Sequence, residues 1–360
     1  MRTPLVLAAV LLAAACSSST PGGERSPGPP PGASGGGSAP ARPGSPRVLV
    51  AHLKVPWGLA FLPGGDALVT ERATARLLRV TPAGRTTVAG TVPGVRPEGE
   101  GGLLGVAVSP GHARDHLIYL YFTAGDGNRV ARARYDGRLG ALTPIVTGIP
   151  KGSNHDGGRL AFGPDGMLYI TTGETGDRDL AQDRKSLAGK ILRVTPTGAP
   201  APGNPFGDRV WSYGHRNVQG LAWDDEGQLF ATEFGQDDVD EINRIVKGAN
   251  YGWPLVEGRG RRPGLTDPLI TWPTGEASPS GLAFAGDALW AAALRGERLW
   301  RIPLTGGALG RPAARLTGAY GRLRTVVRAP DGSLWITTSN RDGRGAPAPD
   351  DDRIIVLPAP

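Results

Sequence analysis

From residue 47 onward the chain alternates short apolar runs with polar punctuation, and one unit recurs. It consists of a four-residue apolar core, a turn of Pro, Asp and Gly, a second alternating strand, a polar loop and a third strand. The first copy reads Gly58-Leu59-Ala60-Phe61, Pro63-Gly64-Gly65-Asp66, Ala67-Leu68-Val69-Thr70 and Arg76-Leu77-Leu78-Arg79-Val80. Further copies open at Gly105-Val106-Ala107-Val108, Arg159-Leu160-Ala161-Phe162, Gly220-Leu221-Ala222-Trp223, Gly281-Leu282-Ala283-Phe284 and Thr325-Val326-Val327-Arg328, spaced by about 44 to 61 residues. Alternation over four to eight residues bounded by Gly, Pro and Asp predicts strands, and no sustained helical period competes with it beyond the N-terminal run. A small sheet cannot cover both its own faces, so six of them packed radially predict an all-β, six-bladed β-propeller. Val48-Leu49-Val50 and Ile354-Ile355-Val356-Leu357 are free to pair in one blade and fasten the ring. A parallel β-helix is disfavoured, because its repeats are shorter and its end caps are missing here.

The N-terminus has a different pattern. Met1-Arg2-Thr3, the apolar run Leu5 to Ala15 and then Cys16 fit an export signal too short to span a membrane as a helix. Cys16 is the only cysteine, so no intramolecular disulfide can form. The junction resembles the lipobox of bacterial lipoproteins, although Leu12 lies one residue further from the cysteine than the usual leucine. Both lipidation at Cys16 and plain secretion therefore stand as expectations. Residues 17–46 are almost entirely Ser, Gly, Pro and Ala, the composition of a tether that cannot bury enough apolar surface to order itself. The division expected is 1–16 signal, 17–46 tether and 47–360 propeller, with any membrane contact made only through a lipid anchor. The formal charge of +7 comes from arginines spread along the chain with no basic run, which argues against nucleic acid.

Candidate chemistry follows from strand direction. Residues preceding the first strand of a blade and residues following the second emerge on the same face. Read blade by blade, that face carries Trp57 and Glu71-Arg72, Glu98-Gly99-Glu100, His155 and Glu174, His215-Arg216-Asn217 with Glu233-Phe234-Gly235-Gln236, Arg295, and Arg322, Arg324 and Asn340-Arg341-Asp342. The opposite rim offers only hairpin turns such as Pro164-Asp165-Gly166. His155 and Glu174 flank one hairpin and meet at the same end of it, a possible base beside a carboxylate that can orient it. Arg216, Arg295, Arg322 and Arg324 converge near the channel mouth, suiting a compact ligand with several carboxylates or phosphates.

Taken with Asn154-His155 to Gly158-Arg159-Leu160, the runs Gly173-Glu174, Ala181-Gln182-Asp183, Ser186-Leu187-Ala188-Gly189-Lys190, Trp211 to Asn217, Asp240-Glu241-Ile242-Asn243 and Asn250-Tyr251-Gly252-Trp253-Pro254 resemble the soluble glucose/aldose sugar dehydrogenases that use pyrroloquinoline quinone (PQQ). The likeness covers residues 47 to 357. It implies oxidation of an aldose sugar at C1 to the lactone, with hydride passing to PQQ, His155 as general base and Glu174 orienting it. It also implies that Arg216 and Asn217 reach the quinone oxygens and that Arg295, Arg322 and Arg324 face the cofactor carboxylates, with an electron acceptor that the resemblance leaves unspecified. Ca2+ is implied at the backbone carbonyls of Gly235 and Gln236, and a second, structural Ca2+ near Glu241 and the Tyr251 carbonyl.

Three positions depart from the family pattern. Glu100 replaces a common glutamine in the cofactor-binding set, and it would repel an anionic cofactor unless protonated, paired with an arginine or turned toward sugar. Phe234 replaces a polar residue, and Arg295 replaces a lysine. The competing expectations are a propeller binding module without catalysis and a Ca2+-dependent lactonase, the latter needing a carboxylate and asparagine cluster that the arginine-rich face does not supply.

Overall fold

The computed structural model describes residues 45–360; the expectations for the run ending at Cys16 and for the tether fall outside them. Six antiparallel sheets follow one another along the chain as the blades of a propeller. Their innermost strands are Pro56–Phe61, Leu103–Val108, Leu160–Phe162, Val218–Trp223, Pro279–Ala285 and Leu323–Arg328. The sixth blade takes its outer strand from the other end of the chain: Arg47 lies opposite Val356 and Val48 opposite Ile355. This pairing covers strand edges that would otherwise be left open.

The hairpins close for a local reason. In four blades the turn between the first and second strands ends in a glycine with positive φ, namely Gly65 (87°), Gly166 (73°), Gly227 (79°) and Gly332 (85°). Each donates its N–H to the carbonyl three residues back, a geometry that a side chain disfavours. Between blades, alternate apolar residues form separate cores; Leu68, Leu103, Ile118 and Leu120, for example, are fully buried in one of them. Hydroxyls link adjacent blades: Thr70 Oγ1 donates to the Leu104 carbonyl and Thr232 Oγ1 to the Ser280 carbonyl.

The inner strands also share an irregularity that positions the site. Register shifts fall between Pro56 and Leu59, Val218 and Gly220, Pro279 and Leu282, and Leu323 and Thr325, at the end of the strand nearer the predicted face. Such bulges re-aim side chains. The residues within them include Trp57, Gln219, Ser280 and Arg324, and these four meet: Arg324 Nη1 lies 3.2 Å from Gln219 Oε1 and 3.4 Å from Ser280 Oγ, with its guanidinium 5.8 Å from the centre of the Trp57 ring.

Candidate active site

His155 sits in the loop before the third inner strand with φ of 55°, an uncommon conformation for a residue with a side chain. Its N–H donates to Glu100 Oε2 at 2.9 Å, so a carboxylate from blade two holds the strained turn. Its Nδ1 lies 2.5 Å from Glu174 Oε1, at the end of the following strand. A carboxylate can only accept, so Nδ1 carries the proton and the lone pair of the neutral ring is on Nε2. Glu174 is almost wholly buried, while the His155 side chain keeps 13% of its surface and lines the cleft.

A second histidine–glutamate pair provides a contrast. His215 Nδ1 lies 2.8 Å from Glu233 Oε2, but its Nε2 is taken by Ser212 Oγ at 2.8 Å, and the buried ring stacks on Tyr251. With both nitrogens bonded and no exposure, His215 braces the blade. Of the two, only His155 presents a free nitrogen to the cleft.

That cleft has a volume of about 430 Å³, within the range of small-molecule sites. His155, Glu100, Arg216, Gly235, Gln236, Arg295 and Arg322 line it together, as does Arg344, which sequence reasoning missed. Arg344 Nη1 pairs with Glu100 Oε1 at 2.7 Å. Burial opposes ionisation of Glu100, but the His155 amide and the Arg344 charge overcome it and hold the carboxyl below its usual range. Of the alternatives left open for Glu100, the arginine-paired one is therefore what the structure shows. Arg322 is clamped by Asp342 Oδ2, 3.0 Å from Nη2, and the same oxygen lies 3.9 Å from Arg324. Asp342 and Arg322 flank the hairpin of the sixth blade as His155 and Glu174 flank that of the third, so the sequence-derived face already brought them to the same end.

Two predicted residues lie beneath the cleft. Arg324 is buried over a small cavity shared with Trp57, Arg72, Phe234 and Arg344, and burial pushes its pKa down to about 9. Asn217 is fully buried; its Oδ1 accepts from the Gly157 amide and Gln219 Nε2, leaving Nδ2 without a partner. The Nε atoms of Arg216 and Arg324 likewise lack acceptors. Burial lowers the Arg216 pKa, and its guanidinium lies 5.4 Å from the Trp253 ring. Three buried donors without acceptors, beside four arginines, are suited to a ligand rich in oxygen acceptors.

The calcium candidates divide between two environments. Gly235 and Gln236 line the cleft, where the Gly235 amide donates to Asp240 Oδ1. Burial pushes the Asp240 pKa up to about 6, against the pull of the Ser278 and Gly235 amides. Glu241 is enclosed with Glu233, Tyr251 and Glu257, and burial followed by the Glu233 charge raises its pKa to about 8. Beside it, Asn243 donates through Nδ2 to Glu241 while its buried Oδ1 has no partner.

Ring, cleft and paired histidine together define a propeller enzyme whose arginine-rich face is suited to an anionic ligand. Residues 53–347 match the family described as Glucose / Sorbosone dehydrogenase, and the chain belongs to that family of oxidoreductases. The aldose sugar dehydrogenase YliI of Escherichia coli is 35% identical over 337 residues, covering 82% of this chain and 90% of that protein. The quinoprotein glucose dehydrogenase B of Acinetobacter calcoaceticus is 33% identical over 251 residues, 59% of this chain and 52% of that one. A PQQ-bound aldose sugar dehydrogenase from Streptomyces coelicolor superposes with a TM-score of 0.84 at 56% identity, covering 88% of this chain and 99% of that chain.

Proposed function

We propose that this protein is a PQQ-dependent aldose sugar dehydrogenase that oxidises the sugar at C1 to the lactone, with His155 as general base. The observation that carries the reading is the His155–Glu174 pair, which leaves one imidazole nitrogen free beside an arginine-rich cleft. PQQ, when bound, supplies the quinone that takes up the hydride. His155 Nε2 accepts the C1 hydroxyl proton, and Glu174 stabilises the imidazolium that results. Glu100 keeps the histidine backbone in its left-handed turn. Arg216, Arg295, Arg322 and Arg324 would hold the cofactor carboxylates, and the orphaned donor of Asn217 suits a quinone oxygen or a water next to it.

Ca2+ is proposed at two places. At Gly235 and Gln236 it would be held by backbone carbonyls. At Glu241 it would be held by that carboxylate and the Tyr251 carbonyl, beside the unpartnered Asn243 oxygen and the charge of Glu233. Export, with or without acylation at Cys16, remains part of the proposal. The lactonase alternative loses ground, because the guanidiniums of Arg159 and Arg324 lie at Trp57 and the described residues hold no cluster of three or more His, Cys, Asp or Glu side chains suited to a metal.

The test is reconstitution with PQQ and Ca2+, followed by dye reduction with glucose, galactose, xylose and maltose. Reduction by at least one of these sugars is expected, and no reduction by any would overturn the activity. Titrating the apoprotein with PQQ and following the cofactor absorbance separates a binding module from an enzyme.

A further inference from the structure

Below the cleft, on the far side of Arg159, the channel opens to the opposite face as a funnel of about 420 Å³. At the first position of the repeat, four blades carry Gly58, Gly105, Gly220 and Gly281, whereas the third carries Arg159 and the sixth Thr325. The glycines let the blades close in: a Cβ at Gly105 would lie 2.2 Å from the Gly158 carbonyl oxygen, and one at Gly220 would lie 2.4 Å from that of Ser280. Arg159 spans the narrowed channel. Its Nε donates to the Gln219 carbonyl at 2.8 Å and its Nη2 to Thr325 Oγ1 at 3.1 Å, and the guanidinium lies 4.4 Å from the centre of the Trp57 ring. One side chain from blade three thereby touches blades one, four and six and forms the floor of the funnel.

This floor is a buried cation without a counter-ion. Among the described residues Arg159 makes no ion pair, and burial alone pushes its pKa down to about 9, so it is charged at neutral pH. A charge held this way is costly unless an anion approaches it. No lining residue is acidic, and the one other charge, Arg328, is also positive. The lining side chains between the two arginines are apolar, with Phe61, Phe162, Trp223 and Phe284 toward the outer end. Each inner strand contributes at least three successive lining residues, a depth of about 10 Å at ~3.3 Å per residue, comparable with an extended chain of about eight carbons.

We propose that this funnel binds an amphiphilic carboxylate, a medium-chain fatty acid anion, with its head group on Arg159 and its chain along the apolar walls. The site is distinct from the cleft and does not depend on the cofactor reading. The test is isothermal titration calorimetry of the cofactor-free full chain with octanoate, octan-1-ol and acetate. One octanoate should bind per chain, with the alcohol and acetate each at least tenfold weaker, because one lacks the charge and the other the chain. Arg159→Gln should weaken octanoate at least tenfold. Since Arg159 also braces the blades, Ala60→Phe serves as an independent variant that fills the funnel from blade one and leaves the arginine in place. It should abolish octanoate binding while circular dichroism shows the fold retained. No binding of octanoate, equal binding of octan-1-ol, or unchanged octanoate binding by a folded Ala60→Phe protein would each overturn the proposal.

Discussion

Replacing Glu100 by glutamine tests how the cleft balances charge. Glu100 makes two contacts that matter: Oε2 accepts the His155 amide, and Oε1 neutralises Arg344. Glutamine keeps an acceptor for the amide but frees the arginine and removes a negative charge from a site proposed to hold a polyanion. Two unit charges 7 Å apart interact by about 2.4 kcal/mol at an effective dielectric of about 20. Arg344 is 62% exposed, so solvent screening reduces this to roughly 1 kcal/mol. PQQ should therefore bind about fivefold more tightly to Glu100→Gln, with turnover at saturating cofactor changed less than about threefold. Glu100→Ala should bind PQQ as tightly but turn over more slowly. Its orphaned His155 amide costs about 1–3 kcal/mol and releases the turn that aims the base. Absorbance titration gives the affinities and dye reduction at saturating PQQ gives the rates. PQQ binding tenfold weaker in Glu100→Gln would show that the carboxylate assists the cofactor, and the charge argument would fail.

Glu174→Gln should retain PQQ binding but lower turnover and shift its pH dependence, since an amide cannot stabilise the imidazolium; an unchanged pH–rate profile would refute its role. Glu241 titrates near 8 in the fold, well above an unfolded glutamate, so without a cation the native state holds the extra proton. Stability in EDTA should therefore be fullest at acid pH and fall as pH rises from about 4 to 8. Ca2+ should restore the melting temperature more at pH 8 than at pH 5, and Glu241→Gln should blunt that difference. Lys190 is buried with Nζ donating to the carbonyls of Leu180, Ala181 and Ala188 at 2.6–3.1 Å. Lys190→Met should cost about 2–4 kcal/mol in urea unfolding by leaving those acceptors unpaired.

The ring was readable because each hairpin carries its own instructions. An alternating strand, a turn, ending in glycine in four of the blades, and a second strand specify a local structure, and six copies specify closure. The same logic placed His155 and Glu174 together, because both lie next to the strands of one hairpin. What the local pattern did not carry was side-chain pairing between blades. The Glu100–Arg344 contact spans 244 residues, and Arg344 lies in a loop with no periodicity to direct it. Asn217 belongs to the exposed face by strand direction, yet it lies beneath it, its oxygen committed to Gly157 and Gln219. The bulges that turn Trp57, Gln219 and Arg324 toward one another are register shifts, invisible to a pattern of alternation. Arg159 did leave a trace in the sequence, as an arginine where four repeats have glycine, but its span across the channel required coordinates.

The central claim is that His155 removes the hydroxyl proton while hydride leaves the same carbon. Turnover of His155→Ala, measured with PQQ and Ca2+ saturating and cofactor binding confirmed by absorbance, tests it most directly. A loss of about two to four orders of magnitude with PQQ affinity preserved is the predicted result. Near-normal turnover under those conditions would contradict it, leaving the cleft a cofactor site whose base lies elsewhere.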